Sequence, residues 1–140
     1  MKSIALLVSI YLLVSCEDNR HEETHSSPNG SYTVNVRIGN RNDPSDTSIL
    51  MFELIDKNGK ELDYFRTGAS DVMKWIVSWQ DDSTVVMYSA DIGLFALSVS
   101  ENKKLIPATL NRDMSLTVDK VYKQKYNQQR RPTLQEEEWN

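Results

Sequence analysis

His21-Glu22-Glu23-Thr24-His25 is the stretch whose residue types and spacing most resemble a reaction centre. It matches H-E-x-x-H, which on a helix sets two zinc ligands one turn apart beside a general-base glutamate. That chemistry needs a rigid helix, a cleft with an apolar back wall and a third protein ligand. Here the pentad starts five residues after Cys16 and has no aliphatic or aromatic neighbour between Glu17 and Gly30. His21 and His25 are the only histidines, so a third ligand would have to be a carboxylate. The expectation is a solvated acidic tether, with no metal site.

Other catalytic patterns are weaker. With both histidines in the tether and one cysteine in the chain, the rest of the sequence offers no histidine triad and no thiol nucleophile. Asp81-Asp82 and the Glu61/Asp63 pair are carboxylates at or near turns, where solvation is the ordinary state. Asp56-Lys57-Asn58-Gly59 is a fragment of a calcium loop lacking its third acid and distal glutamate, and reads as a hairpin turn. No glycine-rich phosphate loop is present. No catalytic, cofactor or metal residue is assigned. Trp75 and Trp79, with Tyr64, Phe65, Tyr88 and Phe95, could form a platform for a glycan or peptide. But Trp75, Val77 and Trp79 alternate on a strand with apolar neighbours, which favours a core.

The one cysteine has a clearer use. Met1-Lys2 supplies a positive start, and an apolar run from Ile4 to Val14 is broken only by Ser9. The run is shorter than the roughly 20 residues a spanning helix needs, and its form is that of a secretory signal. Leu13-Val14-Ser15-Cys16 resembles the lipobox of bacterial lipoproteins. That resemblance implies cleavage before Cys16, diacylation of its sulfur and acylation of the new amino group. Acidic residues directly after Cys16 are similar to the export signal that carries some lipoproteins of the Bacteroidota to the outer face of the outer membrane. The implied location is the outer membrane, at the cell surface, with its periplasmic face as the alternative.

The elements downstream follow from periodicity. Residues 1–15 are the signal, and 16–30 the lipidated Cys16 and a flexible tether too polar to offset its ordering entropy. Residues 31–126 are expected to form one β-rich domain, and 127–140 a polar tail. Tyr32, Val34, Val36 and Ile38 alternate with polar residues as in a half-buried strand. Ile49–Ile55 is apolar except at Glu53 and reads as covered on both faces. Asn58-Gly59 predicts a tight hairpin with positive φ at both residues. Lys74–Trp79, Thr84–Ala90, Leu94–Val99 and Leu105-Ile106 are further strands. From Thr117, taken as an N-cap, Val118, Val121, Tyr122 and Tyr126 fall on one helical stripe. The expected fold is a small antiparallel sandwich or open barrel of six to seven strands with one C-terminal helix.

Ser27-Pro28-Asn29-Gly30-Ser31-Tyr32 and Trp79-Gln80-Asp81-Asp82-Ser83-Thr84 each set a turn before a β-rich run. The first is similar to the Ser-Pro-Asp-Gly turn of periplasmic β-propeller blades. A propeller needs at least four blades and this chain has room for about two, so the likeness is confined to local strand and turn chemistry.

Removing residues 1–15 leaves 15 Lys and Arg against 20 Asp and Glu, a charge of −5. Such a balance disfavours nucleic acid and anionic lipid headgroups as partners. Lys74-Trp75, Trp79 and Tyr88-Ser89-Ala90-Asp91-Ile92-Gly93 resemble a pattern in small uncharacterised outer-membrane proteins of the same bacteria. The functional expectation is a lipid-anchored, non-enzymatic envelope accessory protein that binds a protein, peptide or glycan. One alternative is an immunity lipoprotein against a periplasmic toxin. Another is a lipid-anchored zinc peptidase using His21, Glu22 and His25.

Overall fold

The alternation at Val34 and Val36 and the bulky run Thr84–Ser89 each become the second strand of a four-stranded sheet. A computed structural model describes residues 22–127. The lipobox with Cys16, His21 and residues 128–140 lie outside the described residues. The first sheet contains β1 (Glu23–Ser26), β2 (Tyr32–Ile38), β3 (Ile49–Asp56) and β4 (Glu61–Ser70) in chain order. The second contains β5 (Trp75–Trp79), β6 (Thr84–Ser89), β7 (Gly93–Val99) and β8 (Leu105–Ala108), again in chain order. Every pairing is antiparallel. The chain closes with α1 (Arg112–Tyr126). It is mainly β, two packed antiparallel sheets and a C-terminal helix, with eight strands rather than six or seven.

The sheets stack with their strand orders aligned. Trp79 Nε1 on β5 donates to the His25 carbonyl on β1 at 2.9 Å, and Leu105 N on β8 donates to Asp63 on β4 at 2.8 Å. Val34, Val36, Leu50, Phe52 and Leu54 from the first sheet meet Trp75, Val77, Trp79, Val85 and Met87 from the second in one buried layer. Burial of that apolar area is the main stabilising term, at roughly 25 cal/mol per Å² removed from water. The other side of the second sheet packs Ile76, Val86 and Tyr88 against Met114, Val118 and Tyr122 of α1. β6 is therefore covered on both faces and buried at all its residues.

The two echoed segments occupy equivalent places, the turns β1–β2 and β5–β6, and they touch. Asn29 N donates to Asp82 Oδ1 at 2.8 Å. The β3–β4 and β7–β8 turns match as well: Asp56 Oδ1 accepts from Lys60 N, and Ser100 Oγ from Lys104 N. Each sheet thus has the strand count and meander order of a propeller blade. Only two are stacked, and their outer faces are finished differently, one by α1 and one by polar side chains.

Three expectations are corrected. The tether assigned to residues 16–30 ends earlier, because β1 pairs with β2 from Glu23↔Val36 to Ser26↔Thr33. An edge strand is held by its ladder and by the indole bond to His25, neither of which needs an apolar side chain. The β3–β4 turn has positive φ at Gly59 alone (+82°), with Gly59 N bonded to the Asp56 carbonyl and Asp56 N to that of Lys60. This is a longer hairpin loop than the two-residue form.

The helix starts at Arg112, so Thr117 is not its cap. Asn111 Oδ1 accepts from Met114 N at 3.0 Å, and the Thr117 hydroxyl instead donates to Gln80 Oε1 at 2.8 Å. Met114 extends the stripe of Val118 and Tyr122 by one turn and is buried. Asn111→Ala is expected to cost about 1 kcal/mol, seen as a small loss in the urea midpoint with an unchanged m-value. Thr117→Val should leave the helix content untouched.

Candidate functional site

The strand register that buries Val34, Val36, Phe52 and Leu54 turns the intervening residues outward on the first sheet. Two cross-strand rows result. Thr24, Asn35, Glu53 and Tyr64 stand directly opposite one another across β1 to β4, and Arg37, Met51 and Arg66 form the next row. Side-chain hydrogen bonds follow these rows. Thr24 Oγ1 donates to Asn35 Oδ1 at 3.0 Å, Asn35 Nδ2 to Glu53 Oε2 at 3.0 Å, and Arg37 Nε to the same oxygen at 3.2 Å. Arg37 also reaches Glu22 at 2.7 Å. β3, expected to be covered on both faces, is covered by the second sheet on one side only. Met51 on the open side is nonetheless 2% exposed, flanked by the stems of two arginines.

The loop of residues 39–48 folds over one end of this face. Gly39 has φ +86°, a backbone conformation that L side chains rarely adopt. Asn40 N donates to Asp46 O, Asp43 N to Asn40 O and Asp46 N to Asp43 O, all within 3.0 Å. Asp46 then receives Nε and Nη2 of Arg66, each at 3.2 Å. Tyr64 OH donates to the Gly39 carbonyl at 3.3 Å and accepts from Arg41 N at 3.2 Å. The Arg41 guanidinium lies 3.9 Å from the Tyr64 ring centroid and makes a two-pronged pair with Glu61.

Between loop and sheet is a cleft of about 430 Å³, lined by Arg37, Asn40, Arg41, Pro44, Glu53 and Tyr64 among others. Hydrogen bonds from Arg41 hold Glu61 below the usual glutamate range, and the same bonds raise Arg41. Arg37 is raised in the same way, chiefly by Glu22. The cleft therefore presents donors and acceptors already paired with one another. A smaller hollow of about 250 Å³ at the opposite end of the strands is lined by Tyr32, Asp56, Asn58, Leu62 and Lys103.

Of the candidates read from sequence, Tyr64 alone enters the larger cleft. Trp75, Trp79 and Tyr88 are 6%, 9% and 1% exposed, so they belong to the core and not to a platform. Phe65 and Phe95 pack at that core's margin. Asp81 accepts from Ser83 N and Thr84 N within its own turn, Asp82 takes Asn29 N, and Asp63 takes Leu105 N.

Over the described part of the H-E-x-x-H pentad, Glu23–Ser26 is a strand and not a helix, so residues two apart share a face; His21 lies outside the described residues. His25 Nε2 instead meets Glu23 at 2.9 Å, and Glu23 also pairs with Lys125. Burial opposes ionisation of Glu23, but these two partners outweigh it and leave its carboxyl below the ordinary range.

Arg37, Arg41, Asp46, Glu53 and Arg66 were not singled out by sequence reasoning. The available signal was the polar half of the alternation, Thr33-x-Asn35-x-Arg37 facing the lone Glu53. Among the described residues no helix is long and apolar enough to cross a membrane. No family model, curated protein or solved structure matches this chain.

Proposed function

We propose that this protein is a lipid-anchored, non-enzymatic accessory protein of the outer membrane, and that its partner binds the open face of the first sheet. The observation carrying this reading is the cleft beside Arg37, Arg41 and Tyr64, whose polar side chains are bonded to one another before any ligand arrives. Such preorganisation lowers the ordering cost of association. Its volume falls within the range of about 300–1,000 Å³ typical of ligand sites.

Charge narrows the partner class. Three arginines face Glu22, Glu53, Glu61 and Asp46, so a polyanion would gain little. A neutral glycan, or a peptide or protein segment of mixed charge, can bridge arginine donors and carboxylate acceptors together. The lipobox resemblance at Cys16 supports the anchor.

The test is capture of partners by the full-length lipidated protein from its own membranes, comparing wild type with Arg41→Ala and Arg37→Ala. Interface arginines that act as hot spots cost about 2 kcal/mol or more when truncated, so capture should weaken about thirtyfold or more. Exposed ion pairs add little to folding, and melting should hardly move. Undiminished capture by the combined variant would remove this face from the reading.

A further inference from the structure

The end of the domain where β1 begins carries an unusual set of side chains. Val72 is 81% exposed, Ile92 42% and Met73 39%. They come from the β4–β5 and β6–β7 connections, which are tied together: Ser70 N donates to Asp91 Oδ2 at 2.9 Å, and Ala90 N to the Lys74 carbonyl at 2.9 Å. The three apolar side chains therefore share one end. Lys74 sits 5.4 Å from the Tyr126 ring centroid beside them, and Lys125 lies 3.7 Å from that of Trp75. Lysine stems and the half-buried Tyr126 ring beside exposed aliphatic groups are features of membrane-interface belts.

The chain's own geometry selects the occupant. Glu23 opens β1 opposite Val36 and pairs with Lys125 in the last turn of α1, so the strand enters at this same end. Six residues separate Cys16 from Glu23. At about 3.3–3.6 Å per residue the seven steps can span at most roughly 25 Å. A lipid on Cys16 thus holds this end, rather than the hairpin end near Lys57, close to the bilayer.

We infer that Val72, Met73 and Ile92 form a membrane-contact pole that seats the domain on the lipid surface to which Cys16 is attached. This rests on the lipid-anchor reading. Three aliphatic side chains would bind a bilayer weakly from solution, but a short tether raises their effective concentration to the millimolar range. Glu23 pairs with Lys125, and Asp71 and Asp91 belong to the same two connections as Val72, Met73 and Ile92, so the contact is apolar and does not depend on anionic lipid.

In the full-length protein the natural cysteine is acylated, so a single thiol can be added as Val72→Cys or, at the far end, Lys57→Cys. Each is labelled with an environment-sensitive fluorophore and reconstituted in vesicles of phosphatidylethanolamine and phosphatidylglycerol. Emission at position 72 is expected to shift to the blue and resist aqueous iodide, at low and high salt alike, while position 57 stays quenched. Adding Met73→Asp and Ile92→Asp should abolish the shift without preventing flotation with the vesicles. Flotation with both positions equally quenched overturns the pole and leaves the anchor standing. A shift that needs no vesicles and grows with protein concentration also overturns it, assigning the pole to a second copy of the chain. Failure to float removes the anchor reading, and the pole with it.

Discussion

Trp79→Ala is expected to leave the domain largely unfolded at moderate temperature. The indole is 9% exposed, stacks on Tyr32 with centroids 6.5 Å apart and planes at 17°, and donates Nε1 to the His25 carbonyl. It therefore joins the second sheet to the edge of the first by packing and by a hydrogen bond. Truncation of a buried tryptophan costs about 3–5 kcal/mol, and the indole bond to the first sheet is lost with it. Domains of this size have about 5–15 kcal/mol in total. Trp75→Ala removes a similar volume but no indole bond to the first sheet, so it should be the milder of the two. Native emission should be blue-shifted once Trp139, which lies outside the described residues, is changed to Phe. Thermal melts equal to wild type in both alanine variants would contradict the core assignment.

The two tryptophans also show what could be read from the chain. Trp75, Val77 and Trp79 alternate among apolar neighbours, so a buried strand face was legible without coordinates, as were β2, β6, β7 and the stripe Val118, Val121, Tyr122 and Tyr126. β1 was not. Glu23-Thr24-His25-Ser26 has no apolar side chain, and its order comes from ladder bonds and from contacts with Trp79 and Lys125, both distant in sequence. The start of α1 was missed because its first turn carries a single apolar residue, Met114, among Arg112, Asp113 and Ser115. The candidate cleft was illegible for a related reason. Arg41 and Arg66 acquire meaning only when the loop of residues 39–48 brings Asp46 to one and Tyr64 to the other. The echo between residues 27–32 and 79–84 falls on the first turn of each four-stranded meander, β1–β2 and β5–β6.

Cys16→Ala carries the second large expected effect. If Cys16 is diacylated and its amino group acylated, the anchor has three chains. Each buried methylene contributes about 0.8 kcal/mol, whereas a single chain binds only reversibly, at about 10⁴ M⁻¹. Losing all of them should move the protein wholly from the membrane fraction to the soluble or signal-uncleaved pool. Labelling by an alkyne fatty acid should fall to background. The folded domain itself should be unaffected, because its two cores are built from residues from Tyr32 onward. A variant that stays in the membrane fraction and still takes up label would mean that some other group carries the lipid.

The proposed membrane pole and the proposed partner face share one premise, that the chain is held at a bilayer through Cys16. Mass spectrometry of the mature N-terminus of the protein purified from its own membranes tests that premise most directly. The account predicts an N-terminal peptide beginning at Cys16 and carrying a diacylglyceryl thioether and an amide-linked fatty acid. A mature chain that begins elsewhere, or an unmodified Cys16, would contradict it.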